Sequence, residues 1–156
     1  MEWATLVGTG LGAVMGVGAT LVGEQVRWRR TVRDNRLQDR RNLYADCLVS
    51  FRRAHEDMRL AADEEHAGPQ ARAARIRQVY RESGCDEVRE RLMLTASDEV
   101  TSAIEAAYVS LRKIREVFAA GSTVPSPDYQ AARQAHKDAT EAARAVLRRD
   151  LSTLDL

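Results

Sequence analysis

Residues Trp3 to Gly23 carry no charge, and seven arginines follow within the next eighteen positions. At about 1.5 Å of rise per residue, a helix of 21 residues spans roughly 31 Å, close to the hydrocarbon thickness of a bilayer, about 30 Å. An uncharged run of this length beside a basic cluster is typical of a membrane anchor. The sequence therefore predicts a transmembrane helix over residues 1–26 and a basic juxtamembrane helical stalk over residues 27–41.

The distribution of charge predicts the orientation of this anchor. Only Glu2 is charged before the apolar run, whereas the arginines follow it. The positive-inside rule then places the N-terminus outside and the C-terminal domain in the cytoplasm, as a single-pass protein. A cleaved signal peptide would need a basic start and an A-x-A-like cleavage site, but the apolar run ends in Val22-Gly23 and Glu24. We therefore expect an uncleaved anchor.

Small residues recur every four positions along the anchor and leave one helix face without large side chains. The recurring residues are Gly8, Gly12, Gly16 and Thr20. In lipid, small residues allow close backbone approach, and the resulting van der Waals contact holds helices together. The pattern predicts a homo-oligomer, although glycine is also common in membrane helices in general. The run from Val7 to Ala13 is not a dinucleotide-binding turn, because no strand precedes it, and no cofactor is predicted.

The stalk carries the basic character of the chain. Residues 24–41 have a net charge of +4, whereas residues 42–156 have a net charge of −2. Arginines beside a membrane helix are attracted to anionic inner-leaflet lipids, and we predict such contacts for Arg27, Arg29, Arg30 and Arg33. Trp3 and Trp28 are predicted as the interfacial anchors at the two membrane surfaces. A nucleic-acid partner is not predicted, because Trp28 is the only aromatic residue among these arginines.

Residues 42–156 predict an all-α domain. Apolar residues recur at spacings of three and four in four segments. The first face contains Tyr44, Leu48, Phe51, His55 and Met58, and Gly68-Pro69 separates it from a second segment with Ile76 and Tyr80. Ser83-Gly84 makes the continuation of the second segment either kinked or a separate short helix. The third helix begins at the cap Ser97 and ends at Gly121, and the fourth begins at Ser126-Pro127. Short connections favour an antiparallel four-helix bundle that continues from the transmembrane helix.

The chemistry of the domain does not indicate an enzyme. His55-Glu56 lacks the second histidine of a zinc-protease motif, and no metal site is predicted. His55 and His136 fall on apolar helix faces and approach each other if those faces pack, where each is expected to be a hydrogen-bonded core residue. Cys47 is expected in the core. Cys85 follows Gly84 at a helix break and is expected to be the more exposed thiol.

Two segments, together with the glycine-rich anchor, carry a resemblance to known proteins. They are Arg40 to Asp46 (RRNLYAD) and Leu92 to Val100 (LMLTASDEV). With them the chain resembles uncharacterised small single-pass membrane proteins of high-GC Gram-positive bacteria. The resemblance implies the bacterial cytoplasmic membrane as the location and a cytoplasmic helical bundle as the fold. It implies no substrate and no catalytic residues.

These observations predict a membrane-anchored, non-enzymatic interaction or scaffold module that self-associates through its glycine face. Its expected partners are membrane lipids, further copies of itself and an unidentified cytoplasmic protein. The alternative is a homo-oligomeric pore or small channel-like subunit, in which two small faces of the anchor pack in a ring. Against a pore, no ionisable residue lies between Trp3 and Gly23.

Overall fold

The computed structural model describes the backbone of residues 3–154 and the side chains of residues 28 and 32–153. Within this part of the chain the structure is all-α and has no strand, which confirms the predicted fold class. Its five helices are α1 (Trp3–Asp63), α2 (Pro69–Glu82), α3 (Cys85–Met93), α4 (Asp98–Ala119) and α5 (Pro127–Leu154).

The chain divides into two compact units, residues 1–39 and residues 40–156. In the first unit, Trp28 is 67% exposed, and Arg33 is also exposed. The proposed anchor residues Trp3, Gly8, Gly12, Gly16 and Thr20, and the stalk residues Arg27, Arg29 and Arg30, lie outside the described side chains. Among the described residues, no helix combines the length and the apolar character needed to cross a membrane.

The second unit is a helical bundle in which α5 runs opposite to two of its neighbours. Tyr44 near the start of this unit contacts Asp150 near the end of α5, whereas His55 contacts Tyr129 near the start of α5. The helix α5 therefore runs antiparallel to residues 40–63 of α1. It also runs antiparallel to α4, because Arg149 pairs with Glu99 at one end, while Phe118 stacks on Tyr129 at the other.

One continuous apolar core joins the helices of the second unit. The predicted periodic faces supply most of it, since Phe51 and Met58 of α1 and Ile104 and Leu111 of α4 are at most 1% exposed. On α5, the buried residues include the small Ala132 and Ala143. The larger Tyr129 and Leu147 are buried on the same helix.

Local signals fix most helix ends. The hydroxyl of Ser97 accepts a hydrogen bond from the Val100 amide, as its predicted N-cap role requires. Pro127 begins α5, and the Ser126 hydroxyl accepts from the Tyr129 amide. Gly84 has a φ of 72°, a left-handed conformation that separates α2 from α3. The sequence allowed either a kinked continuation of α2 or a separate short helix after Ser83-Gly84, and the structure has the separate short helix α3.

Asp150 closes one end of the bundle by joining three segments of the chain. Its carboxylate accepts from the Tyr44 hydroxyl at 2.7 Å and pairs with the Arg40 guanidinium at 3.2 Å. The Ser97 hydroxyl lies 3.4 Å from its second oxygen. A second nitrogen of Arg40 donates to the carbonyl of Thr95 at 3.1 Å. Side chains separated by more than 100 residues in sequence are thus connected at a single carboxylate.

Candidate functional site

A pocket of about 250 Å³ lies between α1 and α5, and we call it the α1–α5 pocket. Leu48 and Phe51 form its apolar part. Its polar side chains are those of Arg52, His55, Arg133, His136, Lys137, Thr140 and Arg144. The positions 133, 137, 140 and 144 step by four, three and four, so they form one stripe along α5. This stripe borders the buried face of the helix.

The two histidines meet at this pocket. Their ring centroids lie 5.7 Å apart with an interplanar angle of 83°. The His55 Nε2 atom is hydrogen-bonded to the Tyr129 hydroxyl at 3.1 Å, and the His136 Nδ1 atom to the Ser110 hydroxyl at 2.9 Å. The structure thus brings the two histidines together and gives each a hydrogen bond, as predicted. His136 is buried, whereas His55 is partly buried.

Burial keeps both histidines uncharged near neutral pH. Desolvation lowers the pKa of His136 to about 4, and the neighbouring His55 adds to this effect. Burial also lowers the pKa of His55. The carboxylate of Glu56 opposes this shift, and the positive charges of Arg133 and Arg59 add to it. The two imidazoles therefore contribute hydrogen-bonding groups to the pocket at pH 7, while its positive charge comes from lysine and arginine.

Four solvent-exposed cations line the pocket, and the carboxylate of Glu56, which lies outside the lining, interacts electrostatically with one of them, Arg52. Within residues 32–153, no hydrogen bond or ion pair involves the side chains of Arg52, Arg133, Lys137 or Arg144, and the lining contains no carboxylate. Cations elsewhere on α1 differ, since Arg53 pairs with Asp57 and Arg59 with Glu56.

The pocket also contains an unsatisfied hydroxyl. The Thr140 Oγ1 atom is buried and is the only buried side-chain nitrogen or oxygen in the described part of the chain without a hydrogen-bond partner. Buried polar groups in folded proteins nearly always have a partner. Because this exception lies in the lining of a cationic pocket, the pocket combines positive charge with a free hydrogen-bonding group.

The described residues do not show a metal site or an activated thiol. They contain no group of three or more histidine, cysteine, aspartate or glutamate side chains suited to a metal ion. Cys47 is buried as predicted, and burial raises its pKa to about 12. The prediction that Cys85 is the more exposed thiol is wrong, because Cys85 is also fully buried. Its packing in the core raises its pKa, so it is not a reactive thiolate.

Several other concave surfaces occur in the described part of the bundle. A shallow groove of about 630 Å³ along α4 contains the apolar residues Met93, Ala106 and Val109 beside the carboxylates of Asp98 and Glu105. A third pocket is lined by Arg77, Arg81 and Arg115, but it includes the carboxylate of Asp86. The α1–α5 pocket is therefore the one among these three whose lining has cations and no anion.

The sequence pattern indicated His55 and His136 but not the cationic residues around them. The available signal was the stripe of Arg133, Lys137, Thr140 and Arg144, parallel to the buried face of α5. Such a stripe is ordinarily a solvated face. Arg33, the predicted lipid contact, and Trp28, the predicted interfacial anchor, lie in the other unit and are not part of this pocket.

Comparison of the chain with protein-family models, curated proteins and solved structures finds no match. The function is therefore inferred from the residues of this chain and their geometry.

Proposed function

We propose that the chain is a membrane-anchored, non-enzymatic interaction module whose helical bundle lies in the cytoplasm. The observation that carries the proposal is that a single helix, α1, extends from Trp3 to Asp63. Its sequence contains the uncharged run, the arginine-rich stalk and a face of the bundle core. In this proposal α2 and α3 together act as one element, so that the bundle is an antiparallel four-helix bundle continuing from a transmembrane helix.

The groove along α4 supports a role in recognition. Val109 in this groove is 54% exposed, and Met93 and Ala106 lie beside it in the lining. Exposed apolar residues grouped beside polar ones are characteristic of interaction sites. Asp98 flanks the groove with a carboxylate, whereas Glu105 is already paired with Arg89 at 2.7 Å. The complementary cytoplasmic partner therefore presents apolar side chains and a basic one opposite Asp98.

Self-association through the anchor completes the proposal. The face of Gly8, Gly12, Gly16 and Thr20 provides the contact between copies, and Trp3 and Trp28 lie at the two membrane interfaces. Arg27, Arg29, Arg30 and Arg33 contact anionic lipids of the inner leaflet. The high exposure of Trp28 supports this assignment, because an interfacial tryptophan must be free of the protein core.

Membrane fractionation tests the anchor. We expect the full chain to resist alkaline carbonate extraction, and a C-terminal tag to be protected from protease in spheroplasts but cleaved in inverted vesicles. Recovery of the chain in the carbonate supernatant, or cleavage of the tag in spheroplasts, would contradict the proposal.

Light scattering of the detergent-extracted protein tests self-association. Gly12→Ile places a large side chain on the small face, so we expect the oligomer to dissociate. Val14→Ile is the matched control, because residue 14 lies on the opposite side of the helix, and this variant should retain the wild-type mass. An identical mass for all three proteins would overturn the glycine-face assignment.

A further inference from the structure

We propose that the α1–α5 pocket binds a small phosphate-bearing anion. The charges provide the first argument. Arg133 and Lys137 are four residues apart on α5, and like charges at this spacing destabilise a helix. Arg52 and Arg144 add two more positive charges to the same pocket, and no carboxylate in its lining balances them. An anion bound among these side chains removes this repulsion.

The Thr140 hydroxyl provides the second argument, and it does not depend on charge. Its oxygen is buried, has no hydrogen-bond partner among the described residues and belongs to the pocket lining. A hydroxyl can donate to an anion, whereas the surrounding cations can only donate and cannot accept its proton. A bound oxyanion supplies the missing acceptor.

The nature and size of the pocket restrict the ligand. A phosphate group presents three acceptor oxygens and up to two negative charges, which suits several converging donors better than a single carboxylate does. Arginine is particularly suited to such groups because its planar guanidinium donates two parallel hydrogen bonds. The volume of about 250 Å³ is below the range of about 300–1,000 Å³ typical of drug-sized ligands. It favours a phosphate, a pyrophosphate or a phosphomonoester headgroup over a whole nucleotide.

Calorimetric titration of the full-length, detergent-solubilised protein at constant ionic strength tests the site. The probes are inorganic phosphate, pyrophosphate and short-chain phosphatidic acid, a lipid whose headgroup is a phosphomonoester. We expect saturable binding at one site per chain. Preferential binding of the inorganic anions identifies a soluble ligand, whereas preferential binding of phosphatidic acid identifies a lipid headgroup.

Three variants locate the binding in the pocket. Arg133→Gln and Lys137→Gln each remove one charged donor and are expected to weaken affinity about tenfold or more. Thr140→Val removes the hydroxyl at nearly constant shape and is also expected to weaken binding. The midpoint of thermal unfolding should not fall in the Thr140→Val variant, because a buried hydroxyl without a partner is replaced by an apolar group.

Arg148→Gln is the matched control, since Arg148 is exposed on the same helix and does not line the pocket. It should bind like the wild type. The absence of saturable binding, or equal weakening by Arg148→Gln and Lys137→Gln, would overturn the proposal by showing no site or only a general effect of charge. The inference goes beyond the proposed membrane role, and its failure would leave the fractionation result unchanged.

Discussion

His55 and His136 contact each other edge to face across the interface of α1 and α5, with their ring centroids 5.7 Å apart. Each ring has a second partner, the Tyr129 hydroxyl for His55 and the Ser110 hydroxyl for His136. The pair therefore links α1, α4 and α5 through neutral polar contacts. Protonation would place two positive charges side by side in a pocket that already contains four cations.

The stability of the bundle is consequently expected to fall with acidification. The pKa of His136 is lowered to about 4 by burial, whereas an unfolded histidine has a pKa of about 6.5. Between these values the unfolded chain binds more protons, so the stabilisation is complete above pH 6.5 and is lost as the pH falls towards 4. For His136 alone this difference corresponds to about 3 kcal/mol. The lowered pKa of His55 acts in the same direction.

Urea unfolding between pH 7.5 and pH 4.5 measures this dependence. His136→Gln should reduce the decrease in unfolding free energy over this range, because its side chain does not titrate. Comparison with the wild type also cancels the contribution of carboxylates shared by both proteins. Parallel stability curves for the two proteins would show that His136 is not the group responsible.

The Asp150 junction gives a second prediction, on coupling between distant residues. Asp150→Asn removes the negative charge of the carboxylate that accepts hydrogen bonds from Arg40 and Tyr44. It is expected to lower the unfolding free energy by about 1–3 kcal/mol. Tyr44→Phe should cost about 1 kcal/mol by removing one donor. Asp150 and Tyr44 share a hydrogen bond, so their effects should not add. The double variant should lose less unfolding free energy than the two single variants together, by at least about 0.5 kcal/mol.

Denaturant unfolding of the two single variants and the double variant completes this cycle. Asp138→Asn serves as a control, because Asp138 is exposed and accepts a hydrogen bond only from the neighbouring Gln134. This variant should change the unfolding free energy by no more than about 0.5 kcal/mol. Strict additivity of Asp150→Asn and Tyr44→Phe would argue against the observed hydrogen bond.

Two apolar residues two positions apart on α4 should respond differently to truncation. Leu111 is fully buried, so Leu111→Ala is expected to lower the unfolding free energy by about 2–5 kcal/mol. Val109 is 54% exposed in the groove, and Val109→Ala should change it by no more than about 0.5 kcal/mol. Thermal and urea unfolding measure both. A large loss for Val109→Ala would mean that this residue belongs to a buried interface.

Both cysteine thiols are expected to be unreactive in the folded protein. Cys47 and Cys85 are fully buried, and burial raises the pKa of each thiol, so little thiolate is present at pH 8. Ellman's reagent should therefore modify neither residue until denaturant is added, when two equivalents should react. If one thiol of the folded wild type reacts rapidly and the Cys85→Ser variant lacks this reaction, Cys85 is exposed, as the sequence predicted.

Much of the local structure could be predicted because short-range signals determine it. The three-and-four spacing on α1 identified Tyr44, Phe51 and Met58 as core residues, since helical periodicity places them on one face. Ser97 and Pro127 marked helix starts through hydrogen bonding and backbone geometry that depend only on nearby residues.

The features that could not be predicted depend on contacts between helices. Cys85 adjoins a helix break, which suggested exposure, but its side chain is fully buried in the core near Cys47 of α1 and Tyr80 of α2. The cationic side chains of Arg52 and Lys137 belong to different helices, and only the packing of α1 on α5 brings them to one pocket. Neither the orphan hydroxyl of Thr140 nor this shared pocket has a signature along the sequence.

The junction at Asp150 also has a kinetic consequence. The helices α4 and α5 are joined by residues 120–126, so their pairing closes a short loop, whereas the Arg40 and Tyr44 contacts with Asp150 span 110 and 106 residues. The entropy lost on closing a loop rises with its length. The α4–α5 hairpin should therefore form before α1 packs on α5, so that the α1–α5 pocket is completed only after that hairpin is in place.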